Sequence, residues 1–371
     1  MSGGVIIAGG GPVGSALGLM LPDAVVVDAA TFPRDKPCGE GLMPAGARVL
    51  SEAGVDLAEG GFPELQGVRY TLADGGTARA PFASGVGYGV RRTRLDALLA
   101  DRARVHCGVQ VTAVRPLADR VEVDTSRGTL VGSALVAADG LRSPIARMLG
   151  WWRPPRGEGR YGLVGHLGVE HSGSDVEVGL LGDLETYLAP VGVGEVLVAV
   201  LGCRASLRRP GLSGEQSYRE IVARAHPGLA GAPLCGRLRG AGPFNVRPLQ
   251  VARGRVFLAG DAAGFLDPLT GDAMSAGLLQ ARVLAALLED DLDAAAARYR
   301  HWFAGQWRRR ALVSALARAL SRSGGASRRA VAGMSRRPAA LQALLSVNDG
   351  SRRLRSVGPR EWAALLGVAR G

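Results

Sequence analysis

Short runs of consecutive hydrophobic residues predict the first elements of the chain. Val5 to Ala8 is one such run and Ala24 to Val27 is another, and the stretch from Pro12 to Leu21 between them has the character of a short helix. Apolar runs of about four residues that end in turn residues are typical of strands buried on both faces, as in a parallel sheet. The pattern therefore predicts a strand–helix–strand unit with parallel strands and a right-handed crossover.

Similar patterns recur further along the chain. Helical periodicity predicts a helix over Arg92 to Ala103, and apolar runs predict buried strands at Ser133 to Ala137 and Val256 to Ala259. Shorter strands are predicted at Val109 to Val114 and Val121 to Val123. Buried strands and helices thus alternate on both sides of a central segment of different character.

That central segment extends from Trp151 to about Gly240. Its pattern predicts an antiparallel sheet with strands at Tyr161 to Val169, Val176 to Leu181, Thr186 to Ala189 and Val196 to Leu201, beside one helix over residues 218–226. After the buried strand near Val256, a helix is expected from Asp272 to about Leu288. Residues 293–371 are expected to form several helices rich in Ala, Leu and Arg.

Three glycines follow the first predicted strand at the spacing of a phosphate-binding turn. Gly9, Gly11 and Gly14 give Gly-x-Gly-x-x-Gly, in which the first permits the tight turn, the second lets a pyrophosphate approach the backbone, and the third lets helix and strand pack closely. Asp28 follows Gly9 by nineteen residues, near the spacing of an acid that binds ribose hydroxyls. The turn predicts a dinucleotide site, which alone would suit NAD or FAD.

Three later motifs narrow that choice. In chain order they are Arg92-x-x-Leu95-Asp96, the segment Ala138 to Arg147 with Asp139-Gly140 near its start, and Gly260-Asp261-Ala262-Ala263 followed by Asp267-Pro268 and Gly271. The set and its order resemble the flavoprotein monooxygenases of the p-hydroxybenzoate hydroxylase type and their relatives, the geranylgeranyl reductases. The resemblance covers most of residues 1–290 and implies bound FAD.

The resemblance also implies an α/β fold. A Rossmann-type FAD-binding domain would comprise residues 1–65, 85–150 and 241–292. An antiparallel β-sheet domain for the substrate would comprise residues 66–84 and 151–240. Residues 293–371 would form a basic C-terminal helical region, which we expect to cap and lengthen the substrate pocket with its Ala/Leu face packed inward and its arginines in water.

The resemblance assigns cofactor contacts at matching positions. The residues expected to bind FAD are Gly9, Gly11, Pro12, Val13, Gly14, Asp28, Arg34, Lys36, Cys38, Gly39, Arg92, Val111, Asp139, Gly260, Asp261, Asp267, Pro268, Gly271, Asp272, Ala273 and Met274. Arg92 would reach the phosphates, Val111 would lie near adenine, and Asp261 would bind ribityl or pyrophosphate groups. Family members often have Gly where this chain has Ala273, whose methyl group would tighten the approach to the flavin ring.

Three side chains are candidates for chemistry above the flavin. Cys38 lies in a loop that resembles the one beside the flavin in geranylgeranyl reductases; it is either a small buried filler or a thiol that shapes the site. Glu40 is either a solvated loop acid or a proton donor or hydrogen-bonding group for the substrate. Tyr187 either contacts substrate or packs within the sheet. His166, on a predicted strand of the same sheet, is expected to be structural.

The motifs fit two reactions, both with NAD(P)H as a transient electron donor. In one, O₂ is used to hydroxylate or epoxidise a bulky apolar or aromatic metabolite; in the other, a C=C bond is reduced. The Cys38-Gly39-Glu40 loop favours the reductase, whereas the short sheet and the Tyr187–Pro190 segment favour the monooxygenase, which is our first expectation. Halogenation is disfavoured because the Trp-x-Trp-x-Ile-Pro motif is missing. A flavin-binding or carrier-binding protein without turnover stays open as the less favoured alternative, because broken FAD motifs would mark it and these motifs are intact.

Composition adds limits to this picture. The chain has 371 residues and is 47% hydrophobic, so a large core is expected and disorder is not. No apolar run reaches the ~18 residues of a spanning helix, and the Met-Ser-Gly-Gly start lacks the features of a signal peptide, so a cytoplasmic protein is expected. The four cysteines are far apart and the five histidines lack ligand spacing, so neither a disulfide framework nor a metal site is expected.

The positive charge of the chain is concentrated at one end. Residues 301–371 contain fourteen arginines against two acidic residues, Asp349 and Glu361, so the whole net charge of +12 lies there. The excess either decorates a solvated helical face or contacts an acidic partner or an anionic membrane surface weakly. Nucleic acid is not an expected partner, because aromatic residues do not alternate with the basic ones.

Overall fold

The computed structural model describes residues 3–155, 159–322 and 324–368. The helices within these ranges are α1 (Pro12–Met20), α2 (Pro44–Glu52), α3 (Arg92–Arg102), α4 (Pro144–Met148), α5 (Gly214–Ala225), α6 (Ala273–Asp290), α7 (Leu292–Arg322), α8 (Gly324–Arg336), α9 (Pro338–Asp349) and α10 (Pro359–Leu365). The strands are β1 (Ile6–Ala8), β2 (Val25–Asp28), β3 (Gly41–Leu42), β4 (Glu64–Leu65), β5 (Gly67–Leu72), β6 (Thr77–Pro81), β7 (Gly87–Gly89), β8 (His106–Cys107), β9 (Val111–Pro116), β10 (Val121–Thr125), β11 (Gly128–Gly132), β12 (Leu135–Ala137), β13 (Arg160–Gly168), β14 (Asp175–Leu180), β15 (Glu185–Gly192), β16 (Glu195–Cys203), β17 (Arg239–Ala241), β18 (Ala252–Arg253) and β19 (Val256–Leu258).

A six-stranded sheet in the order β18-β19-β12-β1-β2-β8 carries the amino-terminal unit. Ile7 of β1 lies opposite Val136 on one side and Val26 on the other, and both pairings are parallel. The apolar runs of these strands are buried because α1, α6 and α7 contribute side chains to the same core. The predicted strand–helix–strand unit and the α/β fold class are confirmed.

A seven-stranded sheet in the order β17-β13-β16-β15-β14-β5-β6 forms the second layer. The prediction of a wholly antiparallel sheet is wrong at one place, because β14 pairs with β5 in parallel, with Val178 opposite Tyr70. A hairpin can join only antiparallel strands, and β5 comes from a segment about a hundred residues earlier in the chain, so it can pair in either direction.

Two helices differ from the sequence pattern. The predicted helix at 218–226 begins earlier, at Gly214, because the Ser213 hydroxyl accepts from the backbone N–H of Gln216 and the Gln216 side chain accepts from the N–H of Ser213. Helix α2 was not predicted. It begins at Pro44, and a proline is well suited to a first helical position.

The C-terminal helices pack behind the second sheet. Helix α7 runs beside α6, and α8 and α9 lie against β6. Their apolar side chains form a buried cluster with β5 and β6 that includes Ala80, Val331, Leu341 and Ala364. No helix in the described parts of the chain is long and apolar enough to cross a bilayer.

The predicted division into domains remains a prediction. Strands β5 and β6 fall within the segment 66–84 that was assigned to the substrate domain, and they do complete its sheet. The outer limits of the predicted regions at residues 1 and 371, and residues 156–158 of the substrate region, lie outside the described residues.

His226 gives the second sheet a dependence on pH. Its side chain is 9% exposed, and its Nε2 lies 2.9 Å from the Thr186 hydroxyl. Burial, reinforced by His171, lowers the pKa of His226 from 6.5 to about 4. The unfolded chain therefore takes up a proton near pH 6.5 that the folded protein excludes, so the stabilising effect is complete above pH 6.5 and is lost as the pH falls towards 4.

Between pH 7 and pH 4, we expect the unfolding free energy of His226→Gln to fall by about 3 kcal/mol less than that of the parent protein. The reason is that glutamine can keep the contact with Thr186 but does not titrate. Urea unfolding at pH 7, 5.5 and 4 measures this. His106→Gln is the matched control, since His106 is exposed. Equal acid sensitivity of the His226 variant and the parent would contradict the assignment.

Candidate functional site

A cavity of about 690 Å³ lies between the two sheets. Its floor is made by the loops that follow β1, β2, β12 and β19, where the parallel strands end. Its roof is one face of the seven-stranded sheet. The crevice beyond the carboxyl ends of parallel strands is the usual ligand position in open α/β sheets.

The glycine turn forms part of the floor. Gly14 contacts the preceding strand so closely that a Cβ there would lie 1.8 Å from the carbonyl oxygen of Gly9, which itself has a φ of +115°. Gly11 faces open space, because a Cβ there would meet only Arg34 Nη2, at 3.4 Å. Helix α1 has no side-chain cap, so the backbone N–H groups of its first turn point at the cavity unpaired by side chains. This is a cradle for a phosphate group.

Asp28 closes the end of β2 beside this turn. Its carboxylate accepts from the backbone N–H groups of Gly10 at 2.7 Å and Ala30 at 2.8 Å. Arg34 Nη2 lies 3.2 Å from the same carboxylate. The sequence placed Asp28 and Arg34 at the cofactor separately, and the structure brings them together in the cavity wall.

Two further cations line the floor. Arg92 is bound by Asp96 through its Nε at 2.6 Å and its Nη2 at 2.7 Å; burial alone would lower the pKa of Arg92, but Asp96 raises it. Lys36 lies against Gly140, where a Cβ would come within 2.7 Å of its Nζ. Burial lowers the pKa of Lys36, and no carboxylate in the described ranges lies within ion-pair distance of it. An anionic group in the cavity would give this half-buried ammonium a partner.

Asp139 presents an unsatisfied atom to the same region. Its Oδ2 accepts from the N–H of Ile145 at 3.0 Å, whereas its Oδ1 is buried without a hydrogen-bond partner among the described residues. Burial raises the pKa of this carboxyl group. Asp261 also lines the cavity. An orphaned buried oxygen beside a phosphate cradle indicates that a ligand group completes the site.

The start of α6 closes the far side of the floor. Pro268, Gly271, Ala273 and Met274 line the cavity, and α6 has no side-chain cap. Its first backbone N–H groups therefore face the cavity, as those of α1 do.

Most of the predicted cofactor residues line the cavity, and three do not: Gly14, Asp267 and Asp272. Gly14 is used for close packing against Gly9. The Asp267 carboxylate accepts from the N–H of Leu269 at 3.0 Å, and Asp272 binds Arg310. Both carboxylates are therefore engaged within the protein, and a contact of these two aspartates with FAD stays a prediction.

Glu40 is neither solvated nor free. It is 1% exposed, and its Oε1 accepts from the backbone N–H of Arg92 at 2.9 Å, while its Oε2 lies 2.8 Å from His166 Nε2. His166, which was expected to be structural, lies on the same face of β13 as cavity-lining Val164, and its role stays a prediction. The pair ties the loop of the first layer to the roof.

Cys38 lies at the cavity, two residues before Glu40. The N–H of Glu40 contacts its Sγ at 3.4 Å. Burial raises the pKa of the thiol, and the neighbouring Arg92 offsets only part of that effect. Cys38 is therefore a neutral, proton-bearing thiol at physiological pH.

The roof is almost entirely apolar. Tyr187 faces the cavity, but its hydroxyl is engaged in a 2.8 Å hydrogen bond to the carbonyl oxygen of Leu269. The roof residues that sequence reasoning did not single out are Gly162, Val164, Val176, Ala189, Ala199, Leu201, Phe244 and Phe265. Several are two apart on one strand, so alternation along β13, β15 and β16 was the available signal; it does not say which face meets the cavity.

The C-terminal helices do not line this cavity in any described part of the chain. The expectation that they cap and lengthen the pocket is therefore wrong. They bury their apolar faces against β5, β6 and α6 instead, and one arginine that was expected in water, Arg310, is buried.

FAD fits this site by its charges. Two uncapped helix starts, the half-buried ammonium of Lys36 and the open approach at Gly11 suit a pyrophosphate, and Asp28, Asp139 and Asp261 suit sugar and ribityl hydroxyls.

Comparison with known proteins also indicates an FAD site. Residues 3–318 match the family model described as the FAD binding domain, and the chain belongs to this family of FAD-dependent oxidoreductases.

Among curated proteins, the chain is 33% identical to the menaquinone reductase of Mycobacterium tuberculosis (strain ATCC 25618 / H37Rv), over 78% of this chain and 77% of that protein. It is 30% identical to the dialkyldecalin synthase of Streptomyces rugosporus, over 75% of this chain and 63% of that protein. Among solved structures, a flavoprotein/dehydrogenase from Cytophaga hutchinsonii superposes with a TM-score of 0.81 at 18% identity, covering 94% of this chain and 93% of that one, which shows the shared fold.

We expect Gly11→Ala to separate folding from FAD binding. Gly11 has a φ of −74°, which alanine adopts freely, and its Cβ would meet no backbone atom within 4 Å. The methyl group would instead stand where a pyrophosphate approaches, and should raise the FAD dissociation constant at least about tenfold, or ~1.4 kcal/mol.

Titration of the apoprotein with FAD, followed by flavin fluorescence, and thermal unfolding of the apoprotein measure the two effects. Gly305→Ala in α7 is the control, because its Cβ also meets nothing. Unchanged FAD affinity in Gly11→Ala would remove the pyrophosphate from this turn.

Proposed function

We propose that this protein uses bound FAD to reduce a C=C bond in a bulky, apolar, quinone- or isoprenoid-like substrate, with NAD(P)H as its transient electron donor. The sequence favoured monooxygenation, and two observations now favour reduction. One is the similarity to a menaquinone reductase over most of both chains. The other, which carries the proposal, is the half-buried, neutral thiol of Cys38 at the cavity.

Saturation of a double bond requires a hydride and a proton. FAD supplies the hydride when it is bound and reduced. Cys38 is the candidate for the proton, because burial keeps its thiol protonated and it lines the cavity. A thiolate left behind would be stabilised by the nearby Arg92 and would recover its proton from solvent.

Glu40 supports this thiol rather than replacing it. Both of its carboxylate oxygens are engaged, by Arg92 and by His166, so neither is free to face a substrate. Its backbone has a left-handed φ of 52°, an unusual conformation for a non-glycine residue. We assign Glu40 the role of holding the Cys38 loop in place, and Tyr187 that of a packed roof residue.

The roof indicates the substrate class. Val164, Val176, Ala189, Leu201 and Phe244 give an apolar surface with few hydrogen-bonding groups. Such a wall suits a hydrocarbon or quinone-like molecule and would leave a polar metabolite without partners.

Monooxygenation with O₂ is the second candidate function. The same dry, apolar roof favours it, because an oxidising intermediate must be protected from water. That reaction places no proton on a carbon atom, so it would not need the Cys38 thiol as a proton donor, whereas the reductase would.

The decisive assay follows NADH or NADPH oxidation by the FAD-loaded protein with O₂ excluded and with O₂ supplied, using menaquinone and geranylgeranyl substrates. Anaerobic formation of a product with two more hydrogens at an isoprenoid C=C bond supports the reductase. Turnover that needs O₂ and adds oxygen to the product supports the monooxygenase and overturns our proposal. Absence of flavin reduction by either nicotinamide would exclude NAD(P)H as the donor.

We expect Cys38→Ala to lower the rate of substrate reduction by about 10²-fold, the usual contribution of a positioned general acid, while flavin reduction by the nicotinamide stays unchanged. Stopped-flow measurement of the two half-reactions separates these effects. Cys235→Ser is the control, since Cys235 is exposed. An unaltered second half-reaction in Cys38→Ala would show that the proton comes from elsewhere.

We also propose a weak peripheral membrane contact, through which an apolar substrate could be delivered. In α8 to α10 and the turns between them, the exposed arginines are Arg328, Arg329, Arg336, Arg337, Arg353, Arg355 and Arg360. Leu366 and Val368 are 47% and 65% exposed, and Gly367 between them packs against Arg329. Each arginine near an anionic surface contributes about 1 kcal/mol.

We expect the protein to co-sediment with phosphatidylglycerol-containing vesicles in about 50 mM salt and not in about 500 mM salt, because the higher salt shortens the Debye length roughly threefold and screens the attraction. We expect no binding to vesicles of pure phosphatidylcholine, which carry no net charge. Arg336→Glu/Arg337→Glu should weaken binding by at least about tenfold. Arg208→Glu/Arg224→Glu makes the same charge change in the sheet region as a control. No binding in low salt would refute the contact.

A further inference from the structure

The turn over residues 267–274 is the part of the cavity floor nearest the C-terminal helices. Four residues of this turn line the cavity: Pro268, Gly271, Ala273 and Met274. Gly271 is left-handed, with a φ of 63°, and the segment Pro268–Thr270 is a single turn of 3-10 helix. So short a turn has little internal hydrogen bonding to fix its position.

Its position is fixed instead by a buried ion pair with α7. Arg310 donates from Nε to Asp272 Oδ2 at 2.7 Å and from Nη2 to Asp272 Oδ1 at 3.3 Å. The Thr270 hydroxyl donates to Asp272 Oδ1 at 2.6 Å. The side chains of Arg310 and Asp272 are 10% and 5% exposed, so the pair is largely removed from water.

Two more hydrogen bonds hold the same turn. Asn348 of α9 donates from Nδ2 to the carbonyl oxygen of Thr270 at 3.2 Å. Tyr187 of the roof donates to the carbonyl oxygen of Leu269 at 2.8 Å. Hydrogen bonds thus hold the turn to the roof on one side and to α7 and α9 on the other.

Such a pair is more useful for geometry than for stability. Burial alone would raise the pKa of Asp272, but Arg310 holds it below its usual value, so the Asp272 carboxyl group is charged. The hydration that two buried charges lose offsets much of their mutual attraction, so a protein with an apolar pair of similar volume in their place is often as stable. A planar guanidinium that meets a carboxylate through two donors does, however, fix the relative orientation of the two segments.

We propose that Arg310 is a positioning residue, which acts through Asp272 to set where the 267–274 turn and the start of α6 lie against the flavin. The C-terminal helices thereby influence the reaction without lining the cavity. The proposal rests on the FAD site described above, but not on which substrate is reduced.

The variants are Arg310→Met, which keeps length and removes charge, and Arg310→Lys, which keeps charge and removes the planar fork. Arg308→Met is the matched control, because Arg308 lies on the same helix with its side chain exposed. Asp272→Asn tests the other half of the pair. Each is prepared as the full chain, with and without FAD.

In the apoprotein, hydrogen–deuterium exchange of amides 269–274 should quicken on the order of tenfold in Arg310→Met, while amides of β13–β16 stay protected. In the FAD-loaded protein the visible flavin bands should shift, and kcat should fall roughly 10- to 100-fold with little change in KM, because the turn is displaced by a fraction of an ångström. Arg310→Lys should restore part of each effect, and Arg308→Met should match the parent.

The exchange measurement needs neither FAD nor substrate, so its failure is distinguishable from failure of the proposed reaction. Parent-like exchange and flavin bands in Arg310→Met would overturn the proposal. A uniform rise in exchange with unchanged flavin bands and kcat would also overturn it, since Arg310 would then be only a stabilising residue. If Arg310→Met does not fold, Arg310→Lys and Asp272→Asn carry the same readouts and the same criteria.

Discussion

The close approach of α1 to β1 is the constraint on which the site depends. A Cβ on Gly14 would overlap the carbonyl oxygen of Gly9, so only glycine lets the helix begin against the end of the strand. Because the helix starts there, its unpaired N–H groups point into the space beyond the parallel strands. Lys36 and Asp139 reach the same space from other loops. Lys36 has no ion-pair partner among the described residues, and one buried Asp139 oxygen has no hydrogen-bond partner there, so an anionic, hydroxyl-bearing ligand would complete both.

The second constraint joins the two sheets across that space. Glu40 belongs to a loop of the first layer, yet its carboxylate meets His166 on the roof and the backbone of α3. On the opposite side, Tyr187 reaches from the roof to the 267–274 turn. The cavity is therefore spanned by polar contacts at both of these points, while the roof between them stays apolar. A buried hydrogen bond fixes position more strictly than apolar packing, so these contacts define the height of the cavity.

The sequence was most informative where a residue type answers a local geometric demand. Gly9 and Gly14 could be predicted because only glycine fits there, and the strand runs because burial on both faces requires apolar residues. It was least informative where partners are distant in the chain. Nothing local to Asp272 shows that Arg310, 38 residues away, will neutralise it, nor that β5 will pair with β14 in parallel. The apolar roof shows the same limit, since alternation reveals two faces but not which one meets the cavity.

Those long-range contacts also explain why the C-terminal helices were misread. Their arginines resemble a solvated face, and most are exposed, but the one that matters to the site faces inward. A helical region that packs behind a floor can still determine the geometry of that floor, provided that a directional contact crosses the boundary. Apolar packing of α8 and α9 on β6 alone would leave the 267–274 turn free to shift. The Arg310–Asp272 and Asn348–Thr270 contacts remove that freedom, which makes the tail part of the flavin site in a mechanical sense although it lies outside the cavity.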